Sequence, residues 1–146
     1  MMEKILIICE GNICRSPMAQ ALLSVVLPEI KITSAGLAAL VGMPADQYAI
    51  DLLAHRGVDL TSHVARQLSW GMAKDADLIF SMDSGQKKAA ESAFPFISGK
   101  VFRLGEHSKT DVLDPYRKGR AAFEQALAAI DRGIMDWLPA LKKLSK

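Results

Sequence analysis

The sequence predicts an α/β fold in which a parallel sheet is covered by helices on both faces. Three observations carry the prediction. Four short runs, Lys4 to Cys9, Ile30 to Ser34, Asp77 to Met82 and Lys100 to Leu104, are apolar or alternate over strand-like lengths. The stretches between them have helical periodicity and room for crossovers, which joins the strands in parallel. The first run, Ile5-Leu6-Ile7-Ile8, has no polar alternate, the pattern of a strand buried on both faces.

The first strand ends at Cys9, where Glu10-Gly11-Asn12-Ile13-Cys14-Arg15-Ser16-Pro17 follows directly. Gly11 and Asn12 tolerate positive φ, which a loop needs if successive N–H groups are to converge on one point. Ser16 and Pro17 have the chemistry of an N-cap and a first helical residue. A thiol before a helix N-terminus and beside a guanidinium is expected to have a depressed pKa. Arg15 adds a planar fork that holds two phosphate oxygens. The stretch thus predicts an anion cradle with a nucleophile at its centre. A free cysteine is often only a small buried residue, but here glycine, asparagine, arginine, serine and proline all stand at the offsets a cradle needs. In open α/β sheets ligands lie at the carboxyl ends of the strands, where Cys9 falls.

The other strands follow at the runs already given, and the last segment closes the fold. Phe123, Leu127, Ile130, Ile134, Trp137, Leu141 and Leu144 recur at spacings of four and three, one face of a long helix. Gly133 and Pro139 interrupt the stripe, and about three heptads is short for a coiled coil, so a core-facing helix is expected. Hydrophobic residues make up 50% of the 146, enough for one core, and no linker, repeat or low-complexity tract divides the chain. One domain over residues 1–146 is expected. The apolar run Ile5 to Cys9 is too short for a signal peptide or a membrane span, so a cytoplasmic protein without membrane insertion is expected. Two cysteines make no disulfide framework, and a formal charge of +2 is too small to imply nucleic acid.

The nonapeptide from Cys9 to Pro17 resembles the phosphate loop of the low-molecular-weight protein tyrosine phosphatases, Cys-x-Gly-Asn-x-Cys-Arg-Ser-Pro. A second family motif, Asp-Pro-Tyr about a hundred residues later, is matched by Asp114-Pro115-Tyr116. The likeness extends through Thr33 to Gly36, Ser62 to Gln67 and Ser81 to Asp83. It implies a single-domain, three-layer, flavodoxin-like fold with a four-stranded parallel sheet, and a protein tyrosine phosphatase working through a phosphocysteine. Carried onto this sequence, Cys9 is the nucleophile, Arg15 binds phosphate, and Glu10, Gly11, Asn12, Ile13, Cys14 and Ser16 form the loop. Asn12, Ser34 and His63 match positions that hold the loop in shape. Leu40 and Tyr116 match the walls around the substrate ring, and Cys14 a redox partner for Cys9. No cofactor and no metal are expected.

An aspartate before proline is usually a turn residue. With a cradle present, a carboxyl that protonates the departing phenolate and later deprotonates water is the better reading of Asp114. Asp111 is the rival, and Pro115 decides for Asp114. Arg117, Lys118 and Arg120 are expected to make the rim basic. Asp114 to Lys118 and Gly36 to Gly42 look most like the bacterial branch associated with capsule and exopolysaccharide tyrosine kinases. That likeness implies a phosphotyrosine protein as partner, a tyrosine kinase of that kind, and a monomeric enzyme is assumed.

Other readings fare worse. Arsenate reductases of this fold use further cysteines, which are absent here, and phosphoarginine phosphatases carry threonine where Ile13 stands. Gly99-Lys100 lacks the rest of a nucleotide loop. His55, His63 and His107 lack zinc-ligand spacing. A module that binds phosphotyrosine without hydrolysing it remains open at this point.

Overall fold

The computed structural model describes residues 1–145. Its strands are β1 (Lys4–Cys9), β2 (Lys31–Gly36), β3 (Leu78–Ser81) and β4 (Val101–Arg103). The helices are α1 (Arg15–Val26), α2 (Gln47–Ala54), α3 (Trp70–Asp75), α4 (Ser84–Ala93) and α5 (Arg120–Leu144), with a 3-10 turn at Pro95–Ile97. The four strands pair in the order β2-β1-β3-β4, every pair parallel. This is the expected fold, with helices on both faces.

The pleat of β1 separates the two faces. Ile5, Ile7 and Cys9 pack into one cluster with Met18 and Leu23 of α1 and Phe123, Ile130 and Ile134 of α5. Leu6 and Ile8 pack on the other side with Ala73 of α3, Ala90 of α4 and Ile97. Each of these apolar β1 side chains is at most 2% exposed. Full burial of such a side chain is worth roughly 1.5–3 kcal/mol. The central strand is therefore a rigid platform, and Cys9 stands at its carboxyl end on the α1 and α5 side.

Strand limits differ slightly from expectation. β2 starts at Lys31 and continues to Gly36, opposite Cys9, because Lys31 N–H bonds to Glu3 and Gly36 N–H to Arg66. Gly36 must stay bare: a Cβ there would lie 2.6 Å from the Glu10 carbonyl oxygen.

The start of α1 corrects the expectation more substantially. The helix begins at Arg15, Cys14 occupies the cap position, and no side chain caps it. Ser16 lies inside the first turn, its hydroxyl against the Cys9 sulfur, so it has no part in capping. Pro17, third in the helix, is tolerated within the first turn because the first N–H groups of a helix have no intrahelical partner.

The stripe on α5 faces the core, with Phe123, Leu127, Ile130, Ile134 and Leu141 buried. Pro139 sits within the helix without ending it. Gly133 is a close-approach position, since a Cβ there would come within 2.7 Å of the Leu104 side chain. Trp137 is half-buried and its indole N–H donates to the Leu104 carbonyl at 2.9 Å. Leu144 lies outside the core, 52% exposed. No helix among the described residues is long and apolar enough to cross a membrane.

Candidate active site

The loop after β1 is built around Asn12. Its backbone is left-handed, φ 61°, and makes the turn unaided: Gly11 does not take positive φ, contrary to expectation. Asn12 tolerates this conformation better than most residues and is fully buried. Its Oδ1 accepts from the Arg66 N–H at 2.9 Å, which fixes the amide orientation. Its Nδ2 donates to Ser16 Oγ at 2.8 Å and to Ser34 Oγ at 3.0 Å. The Asn12 carbonyl lies 2.7 Å from His63 Nε2, and a carbonyl can only accept, so Nε2 carries the proton. Ser34 Oγ donates in turn to Gln20 Oε1 at 2.6 Å.

This network has a direction. The Ser16 oxygen accepts from Asn12, and its one proton is free to be donated to Cys9 Sγ, 2.8 Å away, once the sulfur is a thiolate. The Asn12 N–H lies 3.3 Å from the same sulfur. Burial pushes the Cys9 thiol pKa up. The Ser16 hydroxyl and N–H, the Arg15 charge and the Asn12 N–H oppose that rise. The helix end and guanidinium that the sequence implies are present and favour the thiolate, while burial, which takes water from the sulfur, acts against them. Burial also raises the Cys14 thiol, helped by the charges of Asp46, Cys9 and Asp114. Both cysteines are free thiols.

Arg15 is 4% exposed and held from two distant segments. Its Nη1 donates to Asp83 Oδ2 at 3.2 Å and to the Val112 carbonyl at 2.8 Å. Its Nη2 lies 3.9 Å from Asp114 Oδ2. Asp83 Oδ1 caps α4 through the Gln86 N–H at 2.7 Å. Asp114 is about half exposed and also accepts from the Tyr116 N–H at 3.1 Å, the ordinary turn bond. Asp111 is engaged elsewhere, accepting from Arg103 Nη1 at 3.0 Å and the Ser84 N–H at 3.2 Å.

A cavity of about 150 Å³ gathers these groups. Cys9, Arg15, Asp114, Cys14, Leu40 and Tyr116 line it with Glu10, Gly11, Ile13 and Ala38. Leu40 is brought there by backbone bonds that zip the following loop to the cradle: Leu37 N–H to Cys9, Ala38 N–H to Glu10 and Leu40 N–H to Gly11. A larger cleft of about 480 Å³ lies at the other end of β1 among Lys4, Lys31 and Lys74, away from any nucleophile. Chemistry, not volume, selects the site.

The family model for low molecular weight phosphotyrosine protein phosphatase matches residues 4–146. The chain belongs to that family. A protein from Ralstonia nicotianae, named "Probable low molecular weight protein-tyrosine-phosphatase EpsP", is 49% identical over 99% of both chains. The crystal structure of the Erwinia amylovora tyrosine phosphatase AmsI superposes with a TM-score of 0.92 at 40% identity, covering 96% of this chain and 93% of that one. Vibrio vulnificus Wzb, solved in complex with benzylphosphonate, has a TM-score of 0.90 at 36% identity, covering 94% and 97%. This phosphatase is thus an enzyme of the protein-tyrosine-phosphatase class, which sets aside the binding-only and arsenate readings.

Within the phosphatase, Cys9, Cys14, Arg15, Leu40, Asp114 and Tyr116 share one cavity. Asn12, Ser16, Ser34 and His63 form the connected support beneath it. Gln20, Arg66, Asp83 and the Val112 carbonyl complete that support and went unassigned in the sequence reading. Asp83 offered a signal, standing at the end of Ser81-Met82-Asp83, while a backbone carbonyl offers none.

Proposed function

We propose that the enzyme hydrolyses phosphotyrosine in two displacements at the Cys9 cavity. The observation that carries this reading is the meeting of a buried sulfur, a fixed guanidinium and a half-exposed carboxyl around one cavity. In the first step Cys9 Sγ attacks phosphorus as the thiolate and the P–O bond to the phenol breaks. Asp114, protonated, gives its proton to the departing oxygen. In the second step the Asp114 carboxylate takes a proton from water, the water oxygen attacks phosphorus, and the S–P bond breaks. The Ser16 hydroxyl and Asn12 N–H then receive the sulfur as thiolate.

Arg15 supplies charge to the equatorial oxygens, and its bonds to Asp83 and Val112 let it do so without first becoming ordered. Leu40 and Tyr116 fit the two sides of an aromatic ring, and the apolar Ile13 suits an aryl ester. The same pair of thiols supports a redox role for Cys14, which can capture oxidised Cys9. The substrate is a tyrosine-phosphorylated protein, and the likeness to the exopolysaccharide branch favours an autophosphorylated bacterial tyrosine kinase. The chain acts in the cytoplasm as a monomer, with residues 1–146 forming one domain and no metal in the reaction.

The test is phosphate release from p-nitrophenyl phosphate in EDTA. Wild type turns over, while Cys9→Ser releases none yet binds vanadate. Serine at wild-type rate, or wild-type activity that EDTA abolishes and a divalent metal restores, overturns the proposal.

A further inference from the structure

Hydrolysis itself does not account for the turn behind Tyr116. The Lys118 N–H donates to the Pro115 carbonyl at 3.0 Å, closing a turn whose third residue, Arg117, has a left-handed φ of 61°. Glycine or asparagine usually fills such a position. A bulky cation held there is strained, and strain of this kind persists where the surroundings impose it and gathers at functional sites.

The placement of the charge gives the strain a use. The Arg117 guanidinium carbon lies 5.0 Å from the centroid of the Tyr116 ring, a stacking contact with a wall of the catalytic cavity. Arg117 and Lys118 are both exposed. Neither has an ion-pair partner among the described residues. The next cation, Arg120, is neutralised by Glu124 at 3.1 Å. The adjoining cleft of about 360 Å³ shares Glu10, Arg15 and Asp114 with the cavity and adds Asp83, and its one cation, Arg15, is already bonded to Asp83 at 3.2 Å. The cations without an ion-pair partner thus lie beyond Tyr116, whereas the one in the cleft is taken up by Asp83 and lies 3.9 Å from Asp114.

We infer that Arg117 and Lys118 form a second anion site, which selects phosphotyrosines that have an acidic group one or two residues away. The inference rests on the phosphotyrosine hydrolysis proposed above. Successive Cα atoms lie about 3.8 Å apart, so a neighbour of the anchored tyrosine starts within side-chain reach of this turn. The chemistry read is an anion, either a carboxylate or a second phosphate. Arginine can grip either in a bidentate fashion, and exposure makes the contact sensitive to salt.

Three phosphotyrosine peptides of equal length test it, with the flanking positions occupied by alanine, by glutamate or by a second phosphotyrosine. kcat/KM is measured for each in wild type, Arg117→Gly, Lys118→Ala and the double variant, and expressed relative to the alanine peptide of the same variant. General losses of activity or folding cancel in that ratio, and glycine suits the backbone at residue 117. Wild type should favour the glutamate peptide by about fivefold at low salt, the scale of exposed ion pairs, with the difference in KM. The ratio should approach one in the double variant and in wild type at high salt, and Arg117→Lys should restore part of it. Preference for the second phosphate alone identifies phosphate as the ligand; equal preference shows that a carboxylate suffices. A wild-type ratio of one for both anionic peptides, or a ratio that survives in the double variant, overturns the inference. Failure of wild type on all three peptides overturns the hydrolysis beneath it as well.

Discussion

Replacing Asn12 by aspartate changes the shape of the hub hardly at all and reverses its polarity. Oδ1 still accepts from the Arg66 N–H, but the atom facing Ser16 and Ser34 becomes an acceptor where Asn12 Nδ2 donates at 2.8 and 3.0 Å. Both serine hydroxyls then turn to the new carboxylate. Ser16 has one proton, so the bond it makes to Cys9 Sγ across 2.8 Å is lost. A hydrogen bond to a charged partner is worth roughly 1.5–3 kcal/mol, about tenfold to a hundredfold in the equilibrium between thiol and thiolate. The added negative charge acts in the same direction. Alkylation by iodoacetamide, which reads the thiolate, should therefore slow by at least about tenfold at pH 7. The pH sign is fixed: burial already raises the Cys9 thiol, and Asn12→Asp raises it further. The rate deficit is then largest at low and neutral pH and closes as pH rises through the variant's pKa. Urea denaturation supplies the control that the variant is folded, and because an unpaired carboxylate is buried at this position, stability should fall by about 3 kcal/mol or more. An Asn12→Asp protein that is folded and alkylated at the wild-type rate across pH would refute the directional network.

The other predictions concern the acid, the second thiol and the glycine behind the cradle. Asp114→Asn should lose about 10²- to 10⁴-fold on phosphotyrosine and much less on p-nitrophenyl phosphate. Asp111→Asn, which loosens Arg103 and the Ser84 N–H, should lower stability and leave the leaving-group dependence as in wild type. Peroxide should inactivate the enzyme reversibly, and Cys14→Ser should recover less well on adding thiol. Because the Cys14 pKa is raised and its thiolate does the capturing, the recoverable fraction should be larger at pH 9 than at pH 7; equal recovery by both proteins makes Cys14 a packing residue. Gly36→Ala places a methyl 2.6 Å from the Glu10 carbonyl, so a stability loss of about 1–3 kcal/mol with a displaced cradle is expected in urea titration and kcat, and an unchanged protein would contradict that crowding.

What the sequence shows and hides follows the range of the forces involved. Cys9, Arg15 and the helix after them are legible because their offsets are local, and β1 because an unbroken apolar run marks a strand that is buried from Ile5 to Cys9. Asp83 and Val112 lie 68 and 97 residues from the arginine they hold, and no local pattern marks a carbonyl as a ligand. Ser16 is misread because one hydroxyl suits two tasks: as a cap it would serve α1, and the fold spends it on sulfur instead. Gly11 and Asn12 look equally able to take positive φ, and the amide held by Arg66, Ser16 and Ser34 puts the turn at Asn12. For the Cys9 thiol the sequence displays the nearby charges that lower its pKa but not the burial that raises it.

Both displacements pass through a covalent bond between Cys9 and phosphorus, which rapid acid quench detects. p-Nitrophenol needs little help in leaving, so Asp114→Asn should still form the intermediate from p-nitrophenyl phosphate while hydrolysing it slowly. A burst of p-nitrophenol about equal to the enzyme present is expected, with one phosphate on the peptide that contains Cys9 in mass spectra of the quenched protein. Phosphate bound to any other residue, or steady release with neither burst nor modified cysteine, would contradict it.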